Sequence, residues 1–207
     1  MNKKKNLMHI FIFCTVLAVF FWSVIKPADY STWLLEVSPA VIILAFFLFL
    51  YRKFPLTTLS YLIIAFVTIL MFIGGHYIYS KVPLFEWLKD KFELQRNHYD
   101  RFGHLMKGLS VIVVREILLR KTELTEGSWL KGISLSIVLA LAALYEIAEW
   151  LVSKLGGGGQ ASKNFLGTQG DIWDSQWDMT LTLIGAIISL FLLQKTHDRF
   201  LKREIKK

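Results

Sequence analysis

Long apolar runs separated by short polar turns dominate the chain, each close to the ~20 residues a helix needs to cross a bilayer. The first covers about 7–25 and stops before Pro27, Asp29 and Tyr30. The second covers about 33–51, with Glu36 and Pro39 early and its continuous apolar core at Val41–Leu50; Arg52 and Lys53 close it. Pro55 suits the first turn of a third helix, which covers about 56–79 and ends near Gly74, Gly75 and His76. A fourth, about 99–119, is least apolar at its start; a fifth covers about 129–150 and a sixth about 179–193. Between the third and fourth, the mixed segment Lys81–Arg96 carries Phe85, Trp87, Leu88 and Phe92. That spacing predicts a short interfacial helix or lid.

A backbone in lipid must satisfy its own hydrogen bonds, leaving helices or a closed barrel. These runs are too long and too uniformly apolar for barrel strands. The expectation is an all-α, polytopic membrane protein: one integral membrane domain over 1–207, built as a six-helix transmembrane bundle. The composition agrees, with 54% hydrophobic and 19% charged residues and 16 Phe, more apolar and less charged than soluble domains. Cys14 is the only cysteine and excludes an intrachain disulfide. Lys3, Lys4 and Lys5 before the first run resemble a signal peptide, but bulky Phe20 and Phe21 stand where cleavage needs small residues. A retained signal-anchor helix is expected.

The net charge of +8 reflects topology and anionic lipid rather than nucleic acid, since no recognition module accompanies it. Six spans put both termini on one side. That side holds Lys3, Lys4, Lys5, Arg52, Lys53, Arg120, Lys121 and Lys131, with six more Lys and Arg from Lys195 to Lys207. The other holds Lys26, Lys81, Lys89, Lys91, Arg96, Lys154 and Lys163, a split of 14 to 7. Both termini are expected in the cytoplasm, and the protein in the bacterial cytoplasmic membrane.

On that topology the ionisable residues gather at one depth, towards the outer ends of spans three to six. Such groups are costly in a membrane and tend to face a bundle interior or cavity. Asp100 and His104 are four apart on one helix face, with Lys107 a turn further in. A carboxylate and an imidazole can bind a divalent cation or form an acid/base pair; they can equally brace the rim of the bundle. Glu146 and Glu149, three apart, can chelate a metal or exchange a proton, because close like charges raise one pKa. Asp171, Asp174 and Asp178 would align on one helix face, with Asp171 the better candidate for a cap and the other two for a site. Gly156–Gly159 reads as a mobile connector without the ending of a phosphate loop. His9 and His197 fall on the other side and are poor candidates, while Arg115 and Glu116 are expected to pair across helices or reach cytoplasmic water.

Several of these stretches carry a family likeness. Gly74-Gly75-His76-Tyr77, Arg96-Asn97-His98-Tyr99-Asp100-Arg101-Phe102-Gly103-His104 and Arg115-Glu116-Ile117-Leu118 resemble the YjdF-like bacterial inner-membrane proteins. So do Glu146-Ile147-Ala148-Glu149-Trp150 and Gly170-Asp171-Ile172-Trp173-Asp174-Ser175-Gln176-Trp177-Asp178-Met179. The resemblance implies a small polytopic protein of the cytoplasmic membrane and carries no catalytic roles with it.

Three function classes compete. In a metal-dependent membrane hydrolase acting on a lipid or lipid-linked substrate, His76, His98, His104, Asp174 and Asp178 are the candidate ligands, and zinc suits this nitrogen and oxygen set. Glu146, Glu149 and Asp100 would then be the catalytic carboxylates, and Arg101 and Lys107 would hold a substrate phosphate or carboxylate. A small-solute or ion-coupled transporter would use the same carboxylates, but the inner half lacks a matching polar set and no internal repeat is evident. A non-catalytic scaffold would use the cluster only to hold the bundle together. Hydrolysis ranks first because the polar residues gather in one recessed position. Membrane lipid is the expected partner; the pattern does not set an oligomeric state.

Overall fold

The computed structural model describes residues 3–155 and 168–205, all helix and turn. In chain order the helices are α1 (Lys3–Val24), α2 (Tyr30–Leu50), α3 (Thr58–Tyr77), α4 (Pro83–Lys91), α5 (Tyr99–Lys107), α6 (Val111–Lys121), α7 (Ser128–Leu155) and α8 (Asp174–Glu204). Gly156–Gly159 lie outside the described residues.

The protein is all-α and multi-pass, but the expected six-span bundle is not what forms. Among the described residues five helices are long and apolar enough to cross a membrane: α1, α2, α3, α7 and α8. The fourth apolar run breaks into α5 and α6, joined by a 3-10 turn at Gly108–Ser110; neither is long enough to cross alone, but in succession they run from the Asp100 end of the bundle to the Glu116 end. The cause is packing. Gly108 lies against the backbone of Thr182, Gly185 and Ala186 on α8, and Gly185 lies against the Leu105 carbonyl. A Cβ at either glycine would overlap that backbone, so the two helices cross at the closest separation small residues permit. The expected lid is also corrected. Within Lys81–Arg96 lies α4, whose Phe85 packs on Tyr99 and Phe102 and whose Glu86 accepts from Asn97 Nδ2 at 2.9 Å, tying it to the start of α5.

Local chemistry sets the helix ends. Asp29 caps α2, accepting from the Thr32 amide at 2.7 Å and its hydroxyl at 2.8 Å, and these bonds hold the Asp29 carboxyl below its usual range. Thr57 caps α3 by accepting from the Ser60 amide. Pro39 inside α2 withholds an amide from the Leu35 carbonyl, and the Ser38 hydroxyl donates to that carbonyl at 3.3 Å.

Helix α3 is the centre of the bundle and the most buried of the five long helices. One side of α3 packs with α1 and α2 through Ile12, Val16, Val37, Ala40 and Phe72. The other packs with α6, α7 and α8 through Ile63, Ile64, Val111, Ile112, Val138 and Leu190. Large apolar groups stay on the outside, among them Phe49, Leu144 and Phe191. A surface of this kind suits lipid.

The two ends of the bundle differ in chemistry. Lys5 Nζ pairs with Glu204 Oε2 at 3.0 Å, so the two ends of the chain meet at one end of the bundle. Just inside it, buried Glu116 accepts from the Thr57 amide at 2.9 Å, the Ser60 hydroxyl at 2.6 Å and Arg120 at 2.7 Å. His197 bridges Glu116 to Arg115, and Arg115 pairs with Asp198 at 2.7 Å. Pairing across helices, rather than contact with water, is therefore the state of Arg115 and Glu116. The remaining polar cluster lies at the opposite end.

Candidate metal centre

Three helices place the principal side chains. Asp100 and His104 stand one turn apart on α5, and His104 Nε2 lies 3.6 Å from Asp100 Oδ1. Asp178, one turn into α8, brings Oδ2 to 3.9 Å from the same nitrogen. Glu146 on α7 brings Oε1 to 4.0 Å from His104 Nδ1. The α5–α8 crossing fixes this meeting, since Thr182 donates to the His104 carbonyl at 3.1 Å just above the glycine contact.

Asp100, His104 and Asp178 offer ligand atoms all within 4.8 Å of one another, and all three residues are buried. They can coordinate a divalent metal. The group is enclosed within the bundle and does not form the outer-facing cavity that the helix-end pattern predicts. Asp178 Oδ1, Glu146 Oε1 and His104 Nδ1 are buried without a hydrogen-bond partner. Unpartnered buried oxygens on two carboxylates beside an imidazole are costly, and they fit a position where a cation supplies what the protein does not.

Two residues that the sequence reading left out of the site belong to it. Glu36 is 5% exposed on α2 and interacts electrostatically with Asp100 and Lys107. Its signal was a lone carboxylate inside an apolar span. Tyr79, equally buried, leaves its hydroxyl unpartnered among the charges of Glu36, Asp100 and Glu149. It reaches there because Ile78 turns the chain at φ 67° and Gly74, lacking a Cβ, gives the ring room. Nothing in the sequence marks Tyr79, because its place depends on that turn.

The other candidates divide. Lys107 joins the group, with Nζ 2.9 Å from His104 Nε2 and 4.3 Å from the centre of the Tyr145 ring. Glu149 is half-buried at its edge, within the electrostatic reach of Glu146 and Glu36. His76 is placed elsewhere, stacked on Trp22 with Nδ1 3.0 Å from the Ser23 carbonyl. His98 precedes α5 and lines a separate polar cavity of about 470 Å³ with Gln95, Arg96, Arg101, Gln169 and Asp171. Burial and the neighbouring Arg101 and Arg96 push its imidazole pKa down.

Asp174 pairs with Arg96 at 3.0 Å, and Arg96 also holds Asp171 at 3.0 Å. Arg101 reaches Asp171 too, at 2.5 Å, and lies over the Trp177 ring. Asp171 accepts from the Trp173 amide at 2.9 Å, a tight turn just ahead of α8 rather than a cap on its first turn. These ion pairs close the end of the bundle over the buried group.

Comparison with known proteins agrees with this architecture. No solved structure matches the chain. It is 37% identical over 190 residues to "Inner membrane protein YjdF" of Escherichia coli (strain K12), covering 91% of this chain and 90% of that protein. Residues 8–199 match the family described as "Predicted membrane protein (DUF2238)". With nearly the whole chain inside that match, and its charged motifs converging within one helical bundle, the protein belongs to the DUF2238 family of membrane proteins.

Proposed function

We propose that this protein is a metal-dependent hydrolase of the bacterial inner membrane, acting on a lipid or lipid-linked substrate. The observation that carries the reading is the enclosed Asp100–His104–Asp178 group, together with the unpartnered buried oxygens of Asp178 and Glu146. These three side chains would hold the cation, and one nitrogen with two carboxylate oxygens suits zinc. A bound cation supplies Lewis acidity. Glu146, whose Oε1 has no partner, is placed to accept a proton from a water beside His104, with Glu149 next to it as a second acceptor. The unpartnered Tyr79 hydroxyl can donate to a developing oxyanion. Lys107 and Arg101 supply positive charge for a substrate phosphate or carboxylate.

The relative's printed name supports the inner membrane as the location. The lysine and arginine excess at the end where Lys5 meets Glu204 supports cytoplasmic termini. The site then lies in the half of the membrane away from the cytoplasm.

The test is elemental analysis of protein purified in detergent without chelator. One equivalent of metal is expected in the wild type, with loss in D178N and H104A variants that still elute as folded protein. Absence of metal, together with no thermal shift on adding zinc or manganese, would overturn the reading.

A further inference from the structure

We propose that Lys107 is a built-in competitor for the cation: its ammonium holds the His104 nitrogen that the ion needs, and ion binding moves it towards Glu36 and Glu149. This deepens the metal reading and rests on it.

His104 Nε2 is the atom that faces Asp100 Oδ1 at 3.6 Å and Asp178 Oδ2 at 3.9 Å. The same Nε2 lies 2.9 Å from Lys107 Nζ. An imidazole nitrogen has a single lone pair, directed in the ring plane. While it accepts from the ammonium it is closed to a metal, and while it ligates a metal it cannot accept from Lys107. With Nε2 as acceptor, the neutral ring carries its proton on Nδ1, the atom facing Glu146 Oε1 at 4.0 Å.

Lys107 is poised rather than locked. Among the described residues it forms no ion pair, and its contacts are a neutral imidazole and the Tyr145 ring face, 4.3 Å away. Carboxylates surround it all the same: Glu36, Glu146, Glu149 and Asp178 all interact with its charge. An ammonium on a four-carbon stem can pivot about that ring. Turning away from His104 exchanges a neutral acceptor for the Glu36 or Glu149 carboxylate, while the arriving ion compensates Asp100 and Asp178. The ion adds its charge to this carboxylate-rich cluster, and Lys107 keeps its own charge within reach of Glu36 and Glu149.

The experiment titrates Zn²⁺ and Mn²⁺ into metal-stripped full-length protein in detergent, by calorimetry, for wild type, K107M, K107Q, E36Q and K107M/E36Q. Removing the competitor is expected to tighten Zn²⁺ binding by about tenfold or more. E36Q is expected to weaken binding in the wild type and to leave it unchanged in the K107M background, the non-additivity of a shared partner. Both lysine variants are checked by gel filtration, so one that misfolds does not decide the matter. Binding to K107M and K107Q no tighter than to wild type overturns the competitor while leaving the metal site standing. Equal weakening by E36Q in both backgrounds makes Glu36 a ligand and overturns its role as the alternative seat. Absence of Zn²⁺ and Mn²⁺ binding in every variant overturns the metal reading and this inference with it.

Discussion

Asp178 Oδ2 lies 3.9 Å from His104 Nε2, joining the start of α8 to the middle of α5 at the depth where both helices are enclosed. The other oxygen of Asp178 has no hydrogen-bond partner. A buried carboxyl oxygen kept without a partner is a stability cost retained for a use.

Relieving that cost should therefore stabilise the metal-free protein. D178N replaces a buried ionisable group in a cluster holding Glu36, Asp100 and Glu146 with a neutral amide, and an increase of about 0.5–2 kcal/mol is expected in metal-stripped samples. Thermal unfolding followed by tryptophan fluorescence checks it. A marked fall in melting temperature would show that Asp178 holds the bundle together instead.

The α5–α8 crossing predicts a sharp contrast among glycines. G185A places a Cβ on the Leu105 carbonyl and G108A places one on the backbone of α8, so each should cost about 1–3 kcal/mol. Gly132 on α7 has nothing within 4 Å of its Cβ position, and G132A should be neutral or stabilising by up to about 1 kcal/mol. Denaturant unfolding of the three variants reads the difference.

At the other end of the bundle, Glu116 is the shared acceptor of the buried network. E116A leaves His197 and Arg120 without their carboxylate and strips the Thr57 and Ser60 hydroxyls of an acceptor. A loss of about 3–5 kcal/mol is expected, as for a broken buried ion pair. Metal content per folded molecule should stay at the wild-type value, because this network lies away from His104. A changed stoichiometry would connect the two ends.

Asp171 gives a pH dependence with a defined sign. The Trp173 amide, then the Arg101 and Arg96 charges, hold its carboxyl below the ordinary aspartate value of about 3.9. A lowered folded-state pKa means the stabilisation is fully present above the ordinary value and lost as pH falls through the lowered one. Melting temperature measured downward from pH 5 should fall more steeply for wild type than for D171N. Identical slopes would show that Asp171 contributes nothing to acid sensitivity.

The Lys5–Glu204 pair sets a simple expectation for topology. Fluorescent protein fused at either end of the chain should fold and fluoresce in the cytoplasm, and alkaline phosphatase fused at the same points should stay inactive. Opposite behaviour of the two ends would contradict the pairing seen here.

The sequence by itself determined the fold class. Uninterrupted apolar runs cannot be solvated in water and cannot leave backbone groups unpaired in lipid, so an all-α, multi-pass protein follows from hydropathy and length. It also singled out Asp100, His104 and Asp178, which the fold brings together in one buried group. Hydropathy averages over a run, however, and the fourth run reads as one span although its middle is a 3-10 turn set by the Gly108 and Gly185 contact. Which ionisable groups meet was decided by helix rotation and crossing, and these depend on contacts between segments far apart in the chain. His104 turns towards Asp178 while His76, at a similar depth, stacks on Trp22. Glu36 and Tyr79 enter the group for the same reason: a lone carboxylate and a tyrosine acquire their surroundings only from packing. The spacing on one helix already grouped Asp100, His104 and Lys107, but only the tertiary structure brings Asp178 to the same imidazole nitrogen, because sequence spacing cannot specify distances across helices.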